Sequence, residues 1–395
     1  MEASQKAVDA VEKSRNRIKE LSDFIHSHPE LGYAEKKSSA AVADLLEKNG
    51  FSIQRTAGGL ETAFIARAVN SGDGPRIAFL AEYDALPKLG HACGHNLIAA
   101  ASAAASIGVA SAYENIPGEI SCVGTPAEEG GAGKVVLARN GVFDGLDAVM
   151  MTHPSNINVV LKKALGVVSI SVKYIGKSAH ASAFPEKGIN ALDAMILFFS
   201  GINAIRQHIT SHERVHGVIT YGGDAANIIP GYTEAAVLVR ALDERVLDLL
   251  LERVKSIAEG AALSTGCKLD FAPMKDMAYA PFHPNRKLAG LFREKLESLG
   301  VEVQDVPEDE GMGSSDIGNV SRVAPTIHPE YSIAGPEIVN HTPEFAEAAG
   351  SEKAFDAAIE TAKAMALTAI SIFERPESAT EIRAEFDSRI KGENV

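Results

Sequence analysis

The chain has 395 residues, more than one compact core of about 100 to 200 residues holds, so two or three domains are expected. Hydrophobic residues at 46% and charged residues at 23% fit a folded globular protein and exclude a disordered or fibrous one. With 38 basic against 52 acidic residues the formal net charge is −14, a field that repels nucleic acid and anionic membrane surfaces, so neither is an expected partner.

Three cysteines, Cys93, Cys122 and Cys267, are too few and odd in number for a disulfide framework, which points to a reducing compartment. The first residues mix charges (Glu2, Lys6, Asp9, Glu12, Lys13, Arg15) with no apolar run behind a basic start, so no signal peptide is read and a cytoplasmic location is expected. The longest uncharged apolar stretch, residues 97–113, is alanine-rich and broken by Ser102, Ser106 and Ser111; it suits a buried helix better than a membrane span.

In chain order, Val8, Val11, Ile18, Leu21 and Ile25 recur at three-to-four spacing and predict a helix over 7–26. A second helix over 38–48 is stopped by Asn49 and Gly50. Strands then alternate with helices: 62–67, 76–81, a helix from Leu97, 119–124, a helix over 134–139, and 148–152. That rhythm predicts an α/β sheet covered by helices. From Gly166 the pattern changes to the period-two alternation of a sheet with one solvated face. A helix capped by Asn190 follows, then strands 216–221 and 233–242, a helix 244–263 and a strand 268–273. The order βαββαβ is ferredoxin-like. It makes 166–275 an insertion into a discontinuous domain of residues 1–165 and 276–395. Beyond it lie a helix over 284–299, a short strand over 302–306, a long helix from Glu352, and a charged tail after Arg375 expected to be loosely held.

The chemistry concentrates in a few segments. In His91-Ala92-Cys93-Gly94-His95-Asn96 a strand gives way to a helix; an extended run there would turn Cys93 and His95 to one side, with Asn96 as the helix cap. A thiolate beside an imidazole suits zinc or another first-row divalent ion. Glu128 and Glu129 follow the strand 119–124, where loops leave the sheet, and two adjacent carboxylates divide naturally into a metal ligand and a proton acceptor. His153 and His341 complete the set. Three look-alikes are weaker. His212-Glu213-Arg214-Val215-His216 matches H-E-x-x-H but turns strand-like at His216. Gly130-Gly131-Ala132-Gly133-Lys134 has the wrong spacing for a phosphate loop, and Gly176-Lys177-Ser178-Ala179-His180 lacks the last glycine of a nucleophile elbow.

Taken with His28-Pro29-Glu30-Leu31-Gly32, Asp84-Ala85-Leu86-Pro87, Ala179-His180-Ala181 and Asn227-Ile228-Ile229-Pro230, these segments resemble the di-metal amidohydrolase and carboxypeptidase family. That family includes aminoacylases, aminobenzoyl-glutamate hydrolases and auxin-conjugate hydrolases. Leu80-Ala81-Glu82-Tyr83-Asp84 and Gly313-Ser314-Ser315-Asp316 are similar to its aminobenzoyl-glutamate hydrolase and β-alanyl-lysine dipeptidase branch. The resemblance implies a zinc-aminopeptidase-like α/β catalytic domain with an inserted lid and dimerisation domain. It implies two divalent ions, zinc or manganese first and cobalt or nickel as further candidates, held by Cys93, His95, Glu129, His153 and His341. Glu128 becomes the general base, and His180, offered by the partner subunit of a homodimer, polarises the scissile carbonyl. Asn227 and Arg240 hold the substrate carboxylate. Many relatives place a histidine ligand two before the aspartate, where this chain has Glu82, so Asp84 is assigned to orienting a metal-bound histidine.

The expected reaction is metal-dependent hydrolysis of N-acyl amino acids or dipeptides with a free carboxylate. Two other readings stay open: a non-catalytic, metal-dependent dimeric binding module, and a zincin built on His212, Glu213 and His216.

Overall fold

The computed structural model describes residues 2–69 and 72–393. Helices α1 (Glu2–Ser27) and α2 (Lys36–Lys48) lead into strands β1 (Phe51–Arg55), β2 (Phe64–Ala68) and β3 (Arg76–Ala81). Next come α3 (His95–Ala112), β4 (Glu119–Gly124), the single turn α4 (Glu128–Gly131), α5 (Gly133–Arg139), β5 (Ala148–Met150) and β6 (His153–Ser155). The middle of the chain holds β7 (Gly166–Ile175), α6 (Ala191–Ile205), β8 (Glu213–Tyr221), β9 (Tyr232–Ala241), α7 (Glu244–Thr265) and β10 (Lys268–Pro273). It closes with α8 (Arg286–Ser298), α9 (Ile317–Ser321), β11 (Thr326–Ile327), β12 (Glu330–Ser332), α10 (Pro343–Ala349), α11 (Glu352–Glu374) and α12 (Pro376–Glu393).

Two compact units emerge: residues 1–163, 283–310 and 319–395 in the first, and 164–282 with 311–318 in the second. In the first unit a six-stranded sheet runs β1-β2-β4-β3-β5-β11. Strands β4, β3, β5 and β11 are parallel, and β2 and β1 extend the sheet antiparallel. Helix α3 is apolar all round and almost wholly buried, as a helix enclosed by a core must be. It has the length and composition of a membrane span, yet 89% of it is packed inside the fold. Its small residues let α1 come close: a Cβ at Gly108 would lie 2.7 Å from Val11 and 3.1 Å from the Ala7 carbonyl. The carboxyl ends of β3, β4 and β5 lead to Glu82 and Asp84, to Glu128 and Glu129, and to His153, where parallel sheets present functional loops.

The second unit is an antiparallel sheet in the order β10-β7-β9-β8, built from the succession β-α-β-β-α-β. Val168, Val172, Phe198, Val237, Val239 and Leu251 form its core between the sheet and helices α6 and α7. Leu165 donates to the Gly313 carbonyl at 2.8 Å, tying the 311–318 segment to this unit.

Four expectations need correction. Strand β1 was not anticipated from sequence; its Phe51 is buried and its pairing with β2 is continuous. Residues 302–306 form no strand: Gln304 reaches Asn158 through one backbone bond, and the side chains of Asn158 and Gln304 replace the rest of a ladder. The tail is not loose but forms α12, started by Pro376, with Ile382 and Phe386 buried one helical turn apart. Glu385 accepts from the Arg286 and Lys287 amides and so caps α8, each bond 2.8 Å. Asn96 is no cap; Gly94, at φ 77°, takes that place, and Asn96 donates to Ser22 and the Ala349 carbonyl.

His91, in the turn before α3, is 2% exposed, and among the described residues neither ring nitrogen makes a well-formed hydrogen bond. Burial, then the neighbouring His95 and His26, lower its pKa to about 3. The unfolded chain takes up a proton below about pH 6.5 while the folded chain does not, so His91 costs stability progressively as pH falls from there toward 3. Urea midpoints of wild type and His91→Leu between pH 7 and pH 4 check this: the variant should lose stability less steeply, by up to about 1.4 kcal/mol per pH unit.

Candidate metal centre and active site

All five expected metal ligands lie in the first unit: Cys93 just before α3 and His95 at its start, Glu129 in α4, His153 at the start of β6 and His341 on the segment before α10. Cys93 Sγ stands 3.4 Å from His153 Nε2 and 3.5 Å from His341 Nε2, and His341 Nε2 is 3.4 Å from Glu129 Oε1. Donor atoms of Cys93, His95 and His153, of Cys93, Glu129 and His341, and of His95, Glu128 and Glu129 fall within 4.8 Å of one another. Two donors on one tetrahedral zinc, bonded at about 2.0 to 2.3 Å, sit roughly 3.3 to 3.6 Å apart. The observed separations have that length. A thiolate, three imidazoles and two carboxylates on overlapping triads therefore fit divalent ions of the zinc and manganese type.

The ring orientations agree. His153 Nδ1 donates to the Pro154 carbonyl at 2.7 Å, leaving Nε2 to face Cys93. Asp84 Oδ1 lies 3.0 Å from His95 Nδ1, and Asp84 Oδ2 accepts the Glu129 amide at 2.9 Å. His95 Nε2 is thereby left for the centre. Cys93 and His95 meet through the tight turn at Gly94 and not through the extended run expected from the sequence. Asn340 donates to Cys93 Sγ at 3.7 Å and to the Pro154 carbonyl at 3.3 Å. His341 sits at φ 66°, its amide bonded to the Ala92 carbonyl at 2.9 Å.

The electrostatics form one proton-sharing network. Burial pushes the Cys93 thiol up, but the imidazoles of His153, His341 and His95 hold it well below the ordinary thiol value. Burial favours neutral His95 and His153, and it is outweighed by Asp84 and Glu82 around the first and by Cys93 around the second, so both are raised. His341 is raised to about 10 by its bonds to Cys93 and Glu129. Burial raises Glu129.

Sequence reasoning missed three supports. Glu35, fully buried, accepts the Ala127 amide at 2.8 Å and the Thr62 hydroxyl at 2.9 Å. It so braces Ala127, held at φ 58° just before Glu128. Lys134, read only as part of a failed phosphate loop, is wholly buried with its Nζ 2.5 Å from Glu82 Oε1. A lysine flanked by Val135 and Val136 on a helix was the available signal. Glu82, noted only as a departure from a family pattern, has its other oxygen 3.3 Å from His95 Nε2.

His180, Asn227 and Arg240 lie in the second unit. Segments 179–181 and 227–229 pair antiparallel, with His180 opposite Ile228 and the Ala181 amide bonded to the Asn227 carbonyl at 3.0 Å. The H-E-x-x-H match is not assembled: Glu213 begins β8, and His216 pairs across the strands with Leu238. Two imidazoles on a twisted strand and the turn before it lack the common helix face that a zincin needs.

Because imidazoles and the thiol must shed protons to ligate, zinc uptake by the metal-free protein at pH 7 should release protons. Calorimetry in buffers of different ionisation enthalpy checks this; Cys93→Ala should lower metal content below two ions per chain.

Residues 163–265 match the peptidase dimerisation domain of M20 proteins. The Xaa-Arg dipeptidase of Mus musculus is 38% identical over 99% of this chain and 94% of its own length. One of the subunits of the p-aminobenzoyl-glutamate hydrolase of Escherichia coli is 36% identical over 74% of this chain and 64% of its own. A dinuclear metal binding peptidase of Bacillus subtilis shares the fold at a TM-score of 0.68, with 21% identity over 90% of this chain and 98% of that one. With a relative so similar over nearly its whole length, and a donor set that fits divalent ions, the chain belongs to the M20 amidohydrolase and carboxypeptidase family, metal-dependent enzymes that hydrolyse amide bonds.

Proposed function

We propose that this enzyme cleaves the amide bond of N-acyl amino acids or dipeptides that carry a free α-carboxylate, and that it works as a homodimer. One observation carries the substrate reading. Arg240, partly buried on β9, has Ser314 Oγ at 2.8 Å as its hydrogen-bond partner, while its Nε is buried with none. Among the described residues no acidic group pairs with it. Burial lowers its pKa, and a partly buried guanidinium with no acidic partner among the described residues is prepared for an anionic ligand, with a carboxylate the natural bidentate match. The name of the mouse relative supports a dipeptide, and that of the bacterial relative an N-acylated glutamate.

Cys93, His95, Glu129, His153 and His341 would hold the ions. Bound there, such ions acidify a water and polarise the scissile carbonyl. Glu128, on the turn that also carries Glu129, is the group in reach of that region able to accept the proton and return it to the leaving amine. His180 Nδ1 accepts the Ala183 amide at 3.2 Å and the Ser182 amide at 3.4 Å. Its proton therefore sits on Nε2, the tautomer that can donate to an oxyanion. Asn227, exposed on the segment paired with 179–181, offers a side-chain amide for the substrate carboxylate.

The dimer reading is supported by the edge of the second unit. Strand β8 ends its sheet and exposes Val218, Ile219 and Tyr221, and α6 exposes Ile196 and Leu197. An apolar edge strand left bare is an association site.

Glu128→Gln should keep two ions and the folded state yet lower kcat by about 10²- to 10⁴-fold; metal analysis with turnover of N-acetyl, N-benzoyl, aminobenzoyl-glutamate and dipeptide substrates checks it. Converting the substrate α-carboxylate to its amide, or Arg240 to Ala, should each lower kcat/KM by about tenfold to a hundredfold, as expected for a charged hydrogen bond of about 1.5 to 3 kcal/mol. Equal cleavage of acid and amide would refute the exo-acting reading.

A further inference from the structure

The buried pair Lys134–Glu82 has no part in that mechanism, and its cost is considerable. Lys134 is 0% exposed and Glu82 1%. Apolar residues of similar volume commonly serve stability as well as or better than a buried ion pair, so packing alone does not account for it. Its location does. Glu82 follows the end of β3, two residues before Asp84, and Lys134 lies in the first turn of α5, five residues after Glu129. The 2.5 Å contact therefore joins the two segments that deliver His95's anchor and the Glu128–Glu129 turn. Asp84 makes a parallel tie through the Glu129 amide.

Glu82 also has a second oxygen 3.3 Å from His95 Nε2, the nitrogen left for the centre once Nδ1 is engaged by Asp84. A carboxylate at that spot is a capable ligand for a divalent ion. Joined to Cys93, Glu128 and Glu129 it would add a further negative charge where the donor set is already anionic. An ammonium on its far oxygen withdraws that charge and fixes the carboxylate's orientation.

We propose that Lys134 is a positioning residue: it neutralises and pins Glu82, so that the carboxylate flanks His95 without capturing the ion, and it fastens the Glu128–Glu129 turn to the end of β3. This rests on the di-metal reading, and the test separates the two. Wild type, Lys134→Met and the double variant Glu82→Gln/Lys134→Met are compared for thermal midpoint without metal, for zinc affinity by competition with a chromogenic chelator, and for kcat and KM on one N-acyl amino acid. In Lys134→Met the released carboxylate turns to the ion. The midpoint falls, zinc binds at least tenfold tighter, and kcat drops at least tenfold with KM within threefold. In the double variant the buried charges are gone: the midpoint and the zinc affinity return to wild-type values while kcat stays at least fivefold low. Unchanged zinc affinity in Lys134→Met, or full recovery of kcat together with the midpoint in the double variant, would overturn the proposal. Should Lys134→Met fail to fold, the double variant's kcat decides alone. Wild-type protein that turned over none of the substrates would sink the functional reading, whereas the chelator titration reads the Lys134 role without turnover.

Discussion

The carboxylate of Asp84 is the constraint on which the centre depends. One oxygen holds the His95 ring, the other holds the Glu129 amide, so a single buried group sets the spacing between a candidate donor at the head of α3 and another in the turn after β4. Burial favours the neutral acid; His95, then the Glu129 amide and Lys134, reverse that preference and keep it ionised. A carboxylate this enclosed has one stable arrangement of partners, and that uniqueness is transmitted to the donor atoms around it.

The scaffold explains why so much polarity can gather in one place. Parallel strands β3, β4 and β5 end on the same side, and α3 fills the core behind them with alanine and serine. The donors therefore rise from a floor that cannot shift without opening a cavity. Buried polar atoms such as His95 Nε2, 3.3 Å from Glu82, and Glu129 Oε1, 3.4 Å from His341, lie in the centre itself, where ions would take them up.

Much of this was legible in the sequence because it is written in local patterns. The alternation of apolar runs located β3, β4, β7 and β10 to within a residue or two, and Asn190 marks the start of α6 as an N-cap should, accepting from Leu192. The residues gathered at the centre were legible through motif and resemblance together, since no spacing rule brings His341 to Cys93 across 248 positions. What escaped was context. Residues 302–306 meet the Asn158 segment through one backbone bond, and side chains take up the remaining polar groups in place of a ladder. The tail is charged overall, and its two anchoring side chains, Ile382 and Phe386, were too few to stand out. Lys134 escaped because a lysine is ordinarily solvated, and its carboxylate partner, fifty-two positions earlier, helps make burial tolerable.

Three residues other than glycine adopt left-handed backbone angles beside the donors: Ala127, Ala132 and His341. Each forgoes about 1 kcal/mol relative to a relaxed conformation, and the surrounding core absorbs it. Selection for heat tolerance alone would favour glycine at the two alanines, relieving the twist while loosening the aim of the neighbouring carboxylates. Robustness and reactivity thus pull against each other within a stretch of six amino acids, and a lineage moving to warmer habitats would have to find its extra stability somewhere else in the molecule.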